Sequence, residues 1–214
     1  MIKIENTSIY GWEEAIRGMR NPLNSWHRSD SLYDFNGNVS LGENDADLMR
    51  RLCKAGSSDA KFRRMIVVYA DITCHHTWWA EFDTYKVGTV RNSCSKMHKI
   101  HAKEFVVDDF STEGIEDCGG RTIEVFIAVI NELERLRRLF NETKEKKYWR
   151  ALIELLPMGF NLKATIKLNY EVLHNIYHSR LHHKLTEWRE FCKWIESLPY
   201  SWIITGKEPD NGET

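Results

Sequence analysis

The chain has 214 residues, with 30 Lys and Arg against 31 Asp and Glu, a formal charge of −1, and 42% apolar residues. Near-neutrality excludes a coat for a nucleic-acid polymer, which needs a basic excess to displace counterions from phosphate. The apolar share excludes disorder over most of the length, and a chain of this size is expected to form one domain over 1–214.

Ile2 to Ile4 alternates with polar residues and predicts a short strand, and Trp12 to Met19 has helical spacing that Pro22 ends. Ser29 to Gly42, rich in Ser, Asp, Asn and Gly, predicts a long loop. Glu43 to Ala55 predicts a helix, with Leu48, Met49 and Leu52 on one side and Gly56 as its C-terminal stop. Met65 to Ile72 is the clearest strand, and a helix carrying Trp78, Trp79 and Phe82 is expected over His75 to Phe82. Residues 85–99 are polar and aperiodic, a segment where function tends to sit.

The second half reads as mainly helical. Ile123, Phe126, Ile127, Ile130, Leu133 and Phe140 repeat at helical spacing, and a helix over Tyr148 to Leu156 stops at Pro157. A third helix is expected from near Ile166 to Ser197, and a frayed tail from Gly206. The class is therefore α+β, a small mostly antiparallel sheet with a large helical part.

No run reaches the roughly 20 apolar residues of a membrane-spanning helix, and the first residues lack the apolar stretch of a signal peptide. Cys53, Cys74, Cys94, Cys118 and Cys192 are odd in number and form no Cys-x-x-Cys pair. They read as reduced thiols, so a cytoplasmic chain with no membrane partner is expected.

Several residues could carry chemistry. On a continuous third helix, Asn169 and Arg180 would lie only about 20° apart around the axis and roughly 16 Å apart along it. Leu173, Ile176 and Glu187 would share that stripe, so Glu187 is one candidate partner for Arg180 and a bound anion is another. His98-x-x-His101 with Cys94 nearby, His75-His76 and His182-His183 lack the spacing of a dedicated metal motif, and none is expected. Cys94 has cationic neighbours that would favour a thiolate, but it is expected to be a small buried cysteine.

Three stretches together resemble the flavin-dependent thymidylate synthases. Leu156-Pro157 is followed twelve residues later by Asn169, and eleven after that by Arg180, both family spacings without a gap. Glu187, Trp188 and Glu190 are similar to its Trp-Glu segment. Leu52-Cys53-Lys54-Ala55-Gly56, Phe62 and the Met65–Ile72 strand are similar to the segment leading to its flavin motif. The resemblance spans roughly residues 43–198.

The family's Arg-His-Arg signature is absent. Counting on from Phe62 puts Asp83-Thr84-Tyr85 in its place, Gly88 at the first Ser, Val90 at the Asn, Ser93 at the second Ser and Ser95 at the final Arg. A two-residue shift instead aligns Asn92 and Ser95. Ile153 stands at the family's Arg before the Pro, with Arg150 nearly one turn earlier.

The resemblance implies the fold of the thymidylate-synthase-complementing proteins, with FAD and a pyrimidine deoxynucleotide such as dUMP bound in a homotetramer. It implies NADPH as reductant and methylenetetrahydrofolate as carbon donor for methylation at uracil C5. It places Asn169, Arg180, Ser93 and Tyr85 at the cofactor, and Lys86, Arg91, Asn92, Ser95 and Arg150 at the nucleotide. Lys96 and His98 would add positive charge nearby. The alternative is a catalytically inactive nucleotide-binding or assembly protein that retains the fold.

Overall fold

The structure is a computed structural model describing residues 2–35 and 37–208, with Lys96 by its backbone alone. The expected tail therefore lies outside the described residues beyond Glu208. Strand β1 (Lys3–Tyr10) leads into helix α1 (Trp12–Arg20). Between them Gly11 has φ +89°, and a Cβ there would lie 2.2 Å from the Met65 carbonyl oxygen, so the turn requires glycine. The strand is longer than the three residues expected, because Glu5 to Tyr10 pairs despite its polar content.

After short 3-10 turns at Asn21–Leu23 and Trp26–Arg28, β2 (Leu32–Tyr33) pairs antiparallel with β3 (Val39–Ser40) inside the expected loop. Helix α2 (Glu43–Ala55) has its expected bounds. Its first turn is capped from a distance, with Asp30 accepting the Asn44 and Asp45 N–H groups at 2.9 and 3.1 Å.

A 3-10 turn at Lys61–Arg64 precedes β4 (Val67–His75) and α3 (His76–Phe82). The polar 85–99 segment holds β5 (Val90–Ser93) and α4 (Lys96–Lys99). Then follow α5 (Glu113–Cys118), α6 (Gly120–Thr143) and α7 (Lys146–Leu155).

The expected third helix is corrected here. Residues 161–169 form strand β6 (Asn161–Asn169), in which Leu162, Ala164, Ile166 and Leu168 are buried and alternate with Lys163, Thr165 and Lys167. That is the two-residue period of a strand, not the helical one. Helix α8 (Tyr170–Arg180) follows, then a turn, α9 (Thr186–Glu196) and α10 (Trp202–Thr205).

The sheet is small and antiparallel, with order β1-β4-β6-β5, and 54% of the described residues are helical, so the class is α+β. No helix among the described residues is long and apolar enough to cross a membrane.

Contacts divide the chain into two compact units. Among the described residues the first comprises 2–3, 72–83 and 92–164, the second 4–35, 37–71, 84–91 and 165–208. In the first, Phe126, Ile130, Leu133 and Leu136 of α6 pack with Leu152 of α7 and with Phe105 and Phe110. Trp79 also donates its indole N–H to the Leu162 carbonyl at 2.9 Å, satisfying its one polar atom in the core. In the second, Trp12 meets Tyr170 and Tyr200 edge to face, each at 5.4 Å. The same unit buries Asp45 completely, hydrogen-bonded to Arg20 of α1 and to Ser29, Asp30 and Ser31.

Candidate functional site

In the second unit the polar geometry is set by α8. Asn169 ends β6, and its side-chain Oδ1 accepts the Val172 N–H at 3.0 Å, capping the helix. Arg180 is the last residue of the same helix, roughly 16 Å along its axis. Glu187 does not share this stripe, because the chain turns over residues 181–185 and Glu187 belongs to α9. Leu173 and Ile176 do lie on α8, fully buried.

Arg180 Nε donates to the Tyr85 hydroxyl at 2.9 Å. The guanidinium carbon lies 5.6 Å from the Tyr85 ring centre and 4.8 Å from the Trp188 ring centre. The two aromatic rings meet edge to face at 6.0 Å. Arg180 is thus oriented by a phenol and stacked on aromatic surface, contacts worth about 0.5–2 kcal/mol per ring depending on desolvation.

The 84–91 loop returns to α8 at Gly88, where φ is +80°. A Cβ there would sit 3.1 Å from Asn169 Nδ2 and 3.2 Å from Val172 Cγ2, so glycine permits the close approach. Beside it, Thr89 Oγ1 is buried without a hydrogen-bond partner. Lys86 is exposed and has no ion-pair partner among the described residues, and Arg91 in β5 is half-buried. The structure therefore brings Tyr85 to Arg180 and the same loop to Asn169.

Deeper in this unit, Arg63 and Glu171 are 3% and 7% exposed, with the guanidinium 3.7 Å from the carboxylate. Arg63 Nε and Glu171 Oε2 are buried without hydrogen-bond partners. His174 bonds through Nδ1 to the Ile204 carbonyl at 2.7 Å, and burial holds its pKa below the ordinary value, with Arg63 and His178 acting the same way. Sequence reading missed Arg63, Thr89, Glu171 and His174. Their sole advance signal is the helical spacing of Glu171, His174 and His178.

Asn92, Ser93, Ser95 and Arg150 belong to the first unit. Asn92 and Ser93 lie in β5, and the Cys94 N–H beyond them donates to the Lys163 carbonyl at 3.0 Å. Ser95 Oγ accepts the His98 N–H at 3.3 Å at the start of α4. Cys94, expected to be buried, is exposed. With Ser95, Lys99 and Ile100 it lines a cavity of about 210 Å³ whose other wall is the start of β6. The polar composition of the segment outweighs the usual burial of a free cysteine.

Arg150 is exposed on α7 and pairs with Glu154 at 2.7 Å. His98 is exposed, and the Lys96 side chain lies outside the described residues. Among the described residues no three His, Cys, Asp or Glu converge as metal ligands. His75 and His183 accept backbone N–H groups through Nδ1 from Trp78 and Leu185.

No family model and no curated protein matches the sequence. Solved structures do match the fold. A crystal structure of thymidylate synthase X from Helicobacter pylori with FAD and dUMP aligns with a TM-score of 0.70 at 15% identity, covering 96% of this chain and 98% of that one. A second structure of the flavin-dependent thymidylate synthase from Helicobacter pylori, also complexed with FAD and dUMP, aligns with a TM-score of 0.66 at 15% identity, over 95% and 98%. The likeness is one of fold and extends well beyond the stretch that carries the sequence motifs.

Proposed function

We propose that the chain binds FAD and a pyrimidine deoxynucleotide of the dUMP kind and carries out reductive methylation at uracil C5, with NADPH and methylenetetrahydrofolate as co-substrates. The observation that carries this reading is Arg180, oriented by Tyr85 and Trp188 at one end of α8 while Asn169 caps the other. The donor set fits the acceptor-rich, anionic groups of a flavin nucleotide: Arg180, Lys86 and the Asn169 amide are donors, and Thr89 Oγ1 is still unsatisfied. Bound FAD would supply the two-electron chemistry.

The chain's own residues would bind and orient. Arg180 donates to phosphate or carbonyl oxygens, as guanidinium groups do, and Tyr85 fixes its angle. Asn169 donates from Nδ2, since its Oδ1 is committed to the helix. Lys86 adds positive charge from the loop before β5, and Arg91 adds it from β5 itself. Asn92, Ser93, Ser95 and Arg150 belong to the first unit and, by the resemblance, would offer hydroxyl, amide and cationic donors of their own. A homo-oligomer, a tetramer by resemblance, belongs to the same reading.

The test is the visible absorbance of purified protein before and after incubation with excess FAD and desalting. A retained flavin band is expected, and loss of the band in Arg180→Ala. Protein that stays colourless refutes flavin binding.

Asp83-Thr84-Tyr85, standing where the resembled family has Arg-His-Arg, favours a second reading in which the fold binds nucleotide without turnover. Flavin uptake with no thymidylate formed from dUMP, NADPH and methylenetetrahydrofolate would select it.

A further inference from the structure

A cavity of about 580 Å³ opens in the second unit between α2 and the segment that leads into α10. Glu43, Asp47 and Arg50 line it at four- and three-residue spacing, on one face of α2. Leu41 and Leu198 supply apolar surface, and Ser201 and Trp202 bring a hydroxyl and an indole. Tyr200 pins this wall, since its hydroxyl donates to the Val39 carbonyl and accepts the Leu41 N–H, each at 3.0 Å. The Arg50 guanidinium carbon lies 4.9 Å from the Trp202 ring centre, and Arg50 Nε donates to Glu208 at 3.1 Å.

Several polar groups in this lining have no partner. Trp202 is only 9% exposed, yet its indole N–H has no acceptor among the described residues, which a buried indole ordinarily finds. The same holds for the Ser201 hydroxyl, the Glu43 carboxylate and the two terminal nitrogens of Arg50. Donors thus gather where Arg50 meets Trp202, and a free acceptor stands about two helical turns away at Glu43.

We propose that this cavity binds a free basic amino acid of the lysine type. The inference stands apart from the flavin and nucleotide reading and uses none of its residues. The ligand carboxylate is received by the Arg50 terminal nitrogens, the Trp202 N–H and the Ser201 hydroxyl, donors that match its acceptor-only oxygens. The aliphatic chain lies over Leu41 and Leu198, and the side-chain ammonium reaches Glu43. Asp47, itself 3.1 Å from Arg51, adds negative charge on the same face. Glu43 and Arg50 are about 10 Å apart along the helix. A lysine spans about 7 Å from carboxyl carbon to ammonium, with bonds of about 1.5 Å, so the reach of the two protein side chains closes the difference. Glu208 keeps its contact with Arg50 and offers its carboxylate to the α-ammonium. That favours the free amino acid over a lysine at the end of a peptide, whose α-nitrogen is an uncharged amide.

The experiment is calorimetric titration of the full chain with L-lysine and three relatives. Norleucine lacks the side-chain ammonium, cadaverine lacks the carboxylate, and Nα-acetyl-lysine lacks the α-ammonium. Saturable binding of lysine is expected, with norleucine and cadaverine each at least about tenfold weaker, since each loses a charge-assisted contact. Glu43→Gln should bring lysine down to the affinity of norleucine and leave norleucine unchanged. Arg50→Gln should weaken lysine and norleucine and leave cadaverine unchanged. Circular dichroism confirms that both variants are folded. Absence of heat from lysine at millimolar concentration, equal binding of norleucine and cadaverine to that of lysine, or affinities that neither substitution moves overturns the proposal. Nα-acetyl-lysine that binds as tightly as lysine overturns the assignment to the free amino acid and gives the site to the end of a peptide.

Discussion

Replacing Asp45 with Asn should destabilise the chain severely while changing almost no volume. The carboxylate is fully buried and receives Arg20 Nε and Nη2 at 2.6 Å, the N–H groups of Asp30 and Ser31 at 3.0 Å, and the hydroxyls of Ser29 and Ser31. An amide offers one acceptor oxygen and points two N–H bonds at groups that are themselves donors. It also removes the counter-charge of the Arg20 guanidinium, 3% exposed, whose other acceptors among the described residues are the Ser25 and Arg28 carbonyls. Removing one partner of a buried pair costs about 3–5 kcal/mol.

Set against a total stability of about 5–15 kcal/mol, that loss is large. At about 2–4 °C per kcal/mol for a chain of this size, the thermal midpoint should fall by roughly 6–20 °C. Circular dichroism melts at neutral pH measure it, and adding Arg20→Met to the Asn variant should recover part of the loss by removing the stranded charge.

The pH dependence has a definite sign. Burial pushes the Asp45 carboxyl up, but hydrogen bonds from Ser31, Arg20, Asp30 and Ser29 outweigh it and hold the pKa below its ordinary value. Its contribution is therefore present above the ordinary carboxylate range and fades as pH falls below about 4. The gap between wild type and variant should narrow there. A midpoint shift under about 2 °C at neutral pH refutes the reasoning.

Gly11→Ala should lower stability by at least about 2 kcal/mol in denaturant titrations, because the new methyl meets a backbone carbonyl at 2.2 Å and a left-handed φ. Glu134 is held at a pKa of about 2, chiefly by Arg137 and then Arg138 against the cost of burial. Its depressed folded pKa gives stability present above about 4.3 and lost as pH falls toward 2, so Glu134→Gln should flatten acid unfolding in that window. An identical acid limb in the two proteins would count against the ion pair. Tyr85→Phe keeps the ring over Arg180 but removes the hydroxyl that orients it, and should weaken flavin or nucleotide binding roughly 5–10-fold by titration, with little change in the melt. Equal affinity would mean that Tyr85 does not position Arg180.

Helix α2 was legible to its bounds because apolar spacing, an acidic first turn and a glycine stop all agree. The end of the sheet was not. Residues 161–169 alternate strictly, yet Ala, Leu and Lys favour helices, and the alternation runs straight into the helical pattern of α8. Joining the two produced one long helix and put Glu187 on the wrong element. Asn169 and Arg180 survived that error, because their spacing depends only on α8.

Tyr85 is singled out in the sequence by its place in the polar segment alone; its contact with Arg180 links residues 95 apart in sequence, and no local pattern encodes it. The pairing of Arg63 with Glu171 is hidden for the same reason. Cys94 misled because composition describes the average cysteine, whereas its exposure is decided by the polar segment around it.

Asn169 is one side chain with two obligations. Its oxygen belongs to the helix, through the bond from Val172, so only its nitrogen is available to anything outside the chain. Whatever touches it there must offer an acceptor. Folding and recognition can therefore be uncoupled by a single atom: Asn169→Asp keeps the cap, since a carboxylate serves as well at that position, while reversing the polarity shown to a ligand. Asn169→Ala would damage both at once and teach less.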